Sequence, residues 1–170
     1  MRARGASLGA VCGLLVFLAL LPPGAADSLA DLQARFDRET NGVRKAKLME
    51  KLGEAQLEET RRAGKAGEHN TVGLTFEKYR DNVRAAVETL KKQHPDAEKQ
   101  SNGYRQLEMH VRKGIREVDD TLLVCPEAYK PPLQIVRRDL MGMNEELLKM
   151  LFPRRPVEQH AAAPPAEKQP

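Results

Sequence analysis

Cysteine is scarce in this chain: two in 170 residues, one of them, Cys12, inside an N-terminal apolar run. If that run is removed on export, Cys125 stands alone, which excludes an internal disulfide and leaves stability to the core. The expected state of Cys125 is a buried thiol at a helix end, with an intermolecular bridge as the other option. No block of five or more like charges occurs, and opposite charges are interspersed, as in EETRR and FDRET. Tryptophan is absent, and there are only four phenylalanines and three tyrosines. A nucleic-acid surface needs a basic stripe, preferably with aromatics on which bases stack; neither is legible, so no nucleic-acid partner is expected. Strand-like alternation and β-branched runs are also missing, which leaves helices as the means of burying apolar surface.

Catalytic signatures are equally absent. The chain contains no G-x-S-x-G, no phosphate-cradling glycine loop and no H-E-x-x-H, and the residue types of a Ser-His-Asp triad are present without any spacing that joins them. His69, His94, His110 and His160 are far apart, and none has a second His or Cys within a helical turn, so a nitrogen- or sulfur-ligated zinc site is not expected. His110 reads as a surface or half-buried side chain near Glu117. The carboxylates of Glu117 with Asp119-Asp120, and of Glu145-Glu146, are sequence neighbours that diverge around a helix and read as solvated faces. One soft-metal arrangement is worth weighing. Met141, Met143 and Met150 form an M-x-M pair with a third thioether one heptad on, a ligand set suited to Cu(I). Met143 and Met150 also lie on an apolar stripe, where methionine fills core gaps, and that reading is preferred. No catalytic residue, cofactor or metal is assigned, and the chain is not expected to be an enzyme.

The sequence does contain one export-like leader and five helical patterns. Arg2 and Arg4 precede an apolar run of 14 residues, Leu8 to Leu21; Pro22-Pro23 breaks it, and Gly24-Ala25-Ala26 offer a cleavage site. Residues 1–26 therefore read as a signal peptide. As a helix the run spans about 21 Å, short of the ~30 Å hydrocarbon core, so no membrane span is expected in the mature form. Two of the 28 Lys and Arg residues, and none of the 24 Asp and Glu, lie in this leader, so the mature chain carries 26 basic against 24 acidic side chains.

Ser28 with Asp31 opens a short helix carrying Leu29, Leu32 and Phe36, and Thr40-Asn41-Gly42 breaks it, with Asn41 placed to cap the next. The second helix carries Val43, Ala46, Met49, Leu52 and Ala55. It is expected to weaken after Leu57, where EETRRAGKAG offers only small apolar residues, and to fray near Gly64 to Gly67. His69-Asn70-Thr71 then closes the turn. A third helix from about Val72 to Gln93 has Val72, Phe76, Tyr79, Val83, Ala86 and Leu90 in steps of four and three, a heptad-like seam; Pro95 stops it. Tyr104 to Val124 carries Tyr104, Leu107, Val111, Ile115, Val118 and Leu122 on one face and is the expected centre of the bundle. Gly114 lies on that seam beside Leu107, Val111 and Val118. A glycine inside a helix costs about 1 kcal/mol against alanine, which predicts a close approach to a neighbouring backbone. After Cys125-Pro126, PEAYKPP reads as a stiff extended link. The last helix is expected from about Leu133, with Leu133, Val136, Leu140, Met143, Leu147 and Met150 or Leu151 on its seam. From Pro153 onward, five of 18 residues are proline, and residues 154–170 read as a disordered Pro/Ala-rich tail.

The expected fold is all-α: an up-down antiparallel bundle of four to five helices over residues 27–153. A tetratricopeptide-like hairpin is visible around Leu52-Gly53, but no second copy follows, so a solenoid is excluded. The runs FDRET, VRKAKLMEKLGEAQ, EKYRDNVRAAVETLK, MHVRKGIREVDDTLL and LLKMLFP resemble those of a family of exported α-helical bacterial proteins with no assigned activity, over about residues 29–153. The resemblance implies export from a bacterial cell, to the periplasm or beyond, and a helical bundle; it carries no functional residues. The expected role is a protein-interaction or scaffold module of the cell envelope, using an apolar face left over near Leu57–Ala66 or Leu147–Phe152. Seams on three helices also allow self-association. The alternative is a small-ligand or copper-binding envelope protein that uses the bundle core.

Overall fold

The computed structural model describes residues 28–153, so the leader and the tail lie outside the described residues. Within them the chain forms α1 (Leu29–Arg38), α2 (Gly42–Lys65), α3 (His69–Gln93), α4 (Ser101–Val124), a 3-10 turn (Glu127–Tyr129) and α5 (Lys130–Leu151), with no strand among the described residues. Local chemistry starts and stops them. Ser28 Oγ accepts from Asp31 N (3.1 Å) and Asn41 Oδ1 from Arg44 N (3.0 Å), each satisfying a first-turn donor left without a helical partner. Gly67 takes φ 75°, a left-handed conformation that glycine adopts without a Cβ clash, and reverses the chain between α2 and α3.

Three expectations fail at helix ends. α2 does not weaken after Leu57: Leu57, Thr60 and Ala63 are buried, and the helix continues to Lys65, ending inside the expected Gly64 to Gly67 stretch. Small residues face inward there because α3 lies close, and the charged ones pair along the outside, Arg61 with Glu58 and Arg62 with Glu59. His69-Asn70-Thr71 is the first turn of α3 and does not close the reversal. Nor is PEAYKPP extended. It makes a 3-10 turn, and α5 begins at Lys130 with Pro131 and Pro132 in its first turn, where their missing N–H groups would have no helical acceptor anyway.

α2 to α5 form the bundle, running alternately up and down, and α1 folds back along α2. Its Phe36 ring lies 4.6 Å from Lys45 Nζ, and Gln33 exchanges hydrogen bonds with Asn82 on α3. Adjacency, however, does not follow chain order. α2 packs on both α3 and α4, and α5 on both α4 and α3. Glu54–Lys113 and Arg61–Glu117 show α2 and α4 side by side and parallel, and Arg84–Asp139 with Lys91–Glu146 show the same for α3 and α5. The α3–α4 connection crosses the bundle. Residues 94–100 can reach about 23 Å when extended, whereas the diagonal of helices packed 10 Å apart is about 14 Å. The three residues between α2 and α3 cannot make that crossing.

The diagonal is also short. Gly103 lies under Leu90, whose methyl carbons would stand 3.3 Å from a Cβ there, and Gly114 lies under Tyr79. A Cβ on Gly114 would fall 2.4 Å from the Tyr79 Oη and 2.5 Å from its Cε1. Leu107, Val111 and Val118 are buried around this contact as the seam predicted. The partner of Gly114 is a side chain, not a backbone as expected; the backbone approach belongs to Gly42, where a Cβ would lie 2.8 Å from Leu90 Cα. Tyr104 anchors the crossing loop, its hydroxyl donating to the His94 carbonyl (2.6 Å).

At an open helical site Gly→Ala raises stability by about 1 kcal/mol. Gly114→Ala should instead lower it by about 1–3 kcal/mol, because a buried, hydrogen-bonded ring must move. Combining it with Tyr79→Leu should show strong non-additivity in denaturant unfolding. A Gly114→Ala protein more stable than the native one would show that the crossing is loose.

Candidate functional site

Among the described residues, several places combine chemistry-bearing side chains with a concave surface or with burial. The first is a closed polar cluster. His110 follows Leu107 on α4 but points to α2, its side chain 5 % exposed, over Gly53, where a Cβ would come within 1.8 Å of Nε2. Nδ1 stands 3.8 Å from Glu54 Oε1, and both Glu54 oxygens accept from Lys113 Nζ at 2.6 Å. The Tyr79 ring lies 5.6 Å away, and its hydroxyl donates to the His110 carbonyl (3.0 Å). Nε2 has no hydrogen-bond partner. Burial pulls the imidazole pKa down to about 4, against the upward pull of Glu54 and helped by Lys113. Burial likewise pushes the Tyr79 phenol well above its usual value. A neutral imidazole packed onto a glycine backbone has no substrate within reach. The expectation of a surface or half-buried histidine near Glu117 is corrected: Glu117 pairs with Arg61 on the same α2–α4 face, and His110 is core.

The second place is a cleft of about 460 Å³ at the Cys125 end, lined by Gly64, His69, Val72, Glu117, Asp120 and Cys125 among others. Cys125 is buried as expected, and burial raises its thiol pKa, so it stays protonated at neutral pH and is a poor nucleophile. The acidic residues diverge as their spacing required: Asp119 pairs with Arg137 on α5, Glu117 with Arg61 on α2, and Asp120 lines the cleft. Glu146 pairs with Lys91 while Glu145 is exposed. No three His, Cys, Asp or Glu side chains among the described residues converge on a metal-sized space. The three methionines do not converge either. Met141 is exposed, Met143 is buried, and Met150 sits about 10 Å further along the axis, half-buried.

The third is a groove of about 400 Å³ between α4 and the end of α5, lined by Arg105, Met109, Arg112, Leu148, Leu151 and Phe152 among others. Met109 and Phe152 are 63 % and 64 % exposed, which is unusual for side chains of their size beside a closed core.

The fourth was not legible in the sequence as a site. α1 and α2 meet at an angle that opens a cleft of about 650 Å³ lined by Arg35, Arg38, Arg44, Lys47 and Lys51, with Glu39 as its one carboxylate. Charges interspersed along the sequence are brought together here by the fold. The spacing of Arg44, Lys47 and Lys51 could have been read as one face of α2, but Arg35 and Arg38 join them only because α1 folds back.

The His110 environment makes stability depend on acid. Its folded pKa lies below its unfolded value, so the unfolded chain takes up a proton first as pH falls. Stability should be intact above about pH 6.5 and fall by about 3 kcal/mol as pH drops towards 4. The carboxylates with lowered pKa, such as Glu58 and Asp96, act only below their ordinary values of about 4.5 and 3.8, outside most of that window. Urea unfolding of the native protein and His110→Gln from pH 7 to 4.5 checks this: the variant should lose the slope, and parallel slopes would remove the assignment.

Among the described residues, no helix is long and apolar enough to cross a membrane. Compared with known protein families, curated proteins and solved structures, the chain matches none.

Proposed function

We propose that this protein is a non-enzymatic exported module that binds another protein through the groove between α4 and the end of α5. The observation that carries this reading is the exposure of Met109, Leu148 and Phe152 together in one groove, flanked by Arg105 and Arg112. Apolar and arginine side chains gathered in a concave patch favour a helical or extended apolar segment of a partner. Of the two leftover faces expected from the sequence, the Leu57–Ala66 end turns its apolar Leu57 and Ala63 inward and leaves a mixed polar cleft beside Gly64, whereas the Leu147–Phe152 end exposes Leu148 and Phe152. The absence of an enzymatic role rests on the closed imidazole of His110 and the protonated thiol of Cys125. Export is supported by the leader pattern of Arg2, Arg4 and Leu8–Leu21, and by the resemblance to exported bacterial helical proteins. A ligand or soft metal in the bundle core has no comparable support, because the clefts described above open at the surface.

N-terminal sequencing of the protein recovered from its producing cell should begin at Asp27; a chain that keeps residues 1–26 would overturn export with cleavage. A photo-crosslinking residue at position 152 should give a discrete heavier adduct in the same cells, and one at exposed Leu74 on α3 should not. An adduct of twice the chain mass would make the groove a self-association surface, and no adduct at 152 would overturn the reading.

A further inference from the structure

We propose that the cleft between α1 and α2 binds an anion bearing at least two phosphate groups. This is a different surface from the α4–α5 groove and does not depend on that reading. The first observation is the local charge. Five basic side chains and one carboxylate line the cleft, in a chain whose 28 Lys and Arg and 24 Asp and Glu nearly balance. Elsewhere, several cations between helices meet acids: Arg61 pairs with Glu117, Lys113 with Glu54, Arg84 with Asp139, and Arg137 with Asp119. In the cleft several cations stand together beside one carboxylate. Among the described residues, Lys47 and Lys51 have no ion pair or hydrogen bond, and Arg38 donates from Nε to the carbonyl of Ala34 (2.9 Å) without meeting a carboxylate there.

Glu39 does not neutralise the group. Its Oε1 accepts from Asn41 N (2.8 Å) and its Oε2 faces Arg44 Nε (3.1 Å), so it is held in the α1–α2 turn, where it meets Arg44. Like charges gathered in a concave space raise the local potential and attract a counter-ion.

The residue types narrow the class. Guanidinium forks on both walls suit bidentate contact with phosphate, and the two lysines add point charges. Arg44, Lys47 and Lys51 follow one face of α2 over about 10 Å, which is more than one phosphate can span. Half-buried Leu48 lies between them, and no aromatic lines the cleft. That argues against single-stranded nucleic acid, whose bases need stacking platforms. The same chemistry occurs in soluble polyphosphates and in phosphate-bearing lipid headgroups.

Purified protein would be titrated with tripolyphosphate by calorimetry at low salt (about 50 mM). It would also be co-sedimented with cardiolipin vesicles, whose headgroup carries two phosphates, and with phosphatidylcholine vesicles. Binding of tripolyphosphate alone identifies a soluble anion, and binding of the anionic but not the neutral vesicles identifies a headgroup; both support the proposal. Lys47→Glu with Lys51→Glu should weaken that binding by about tenfold or more. Arg116→Glu with Lys149→Glu, an equal charge change on α4 and α5, should leave it within about twofold. Helical circular dichroism of both variants would confirm folding. Binding of neither probe, equal loss in the two variants, or tighter binding of a single-stranded oligonucleotide would overturn it.

Discussion

The packing of Tyr79 onto Gly114 is the contact on which the arrangement of the bundle depends. A four-helix bundle has two diagonals, and here one of them is closed. Without a Cβ at position 114, the ring of a fully buried tyrosine lies against the α4 backbone and its hydroxyl reaches the His110 carbonyl. Leu90 over Gly103 repeats the device one end further along. α3 and α4 are thereby brought face to face, and α2 and α5 are left at the far corners. His110 occupies the remaining inward space on α4 and uses Gly53 on α2 in the same way. Three glycines, each costing about 1 kcal/mol of helix propensity, are offset by large buried side chains, of which each contributes roughly 1.5–3 kcal/mol on burial.

The ion pairs act on a different scale. Exposed pairs are worth about 0–1 kcal/mol each, so Lys113–Glu54 or Arg84–Asp139 cannot hold the bundle together. They do match the parallel neighbours α2–α4 and α3–α5, and they keep interhelical charges paired. This makes the α1–α2 cleft stand out. Five basic side chains gather there around one carboxylate, which is an electrostatic property of the fold and not of the composition.

Burial decides the chemistry of the other candidates. The histidine and the cysteine are the residues most suited to catalysis, and both are in the form that burial favours, neutral and protonated respectively. The apolar groove and the basic cleft are the surfaces on which the two binding proposals rest.

Helix existence, caps and core faces were legible in the sequence, because each depends on residues within about seven positions of one another: Ser28 with Asp31, Asn41 with Arg44, and the seam from Tyr104 to Val118. Gly114 was legible as a site of close approach, though not its partner, since nothing local to α4 names Tyr79. The α2 end and the start of α5 were misread for one shared reason. Small residues and prolines look like breakers locally, yet Ala63 faces a close neighbour and Pro131-Pro132 sit where the helix has no donor to lose. Helix adjacency, the core placement of His110 and the basic cleft came only from the tertiary structure. They depend on the path of residues 94–100 across the bundle and on the return of α1, which bring together side chains far apart in the chain, and a helical period does not encode which helix lies opposite.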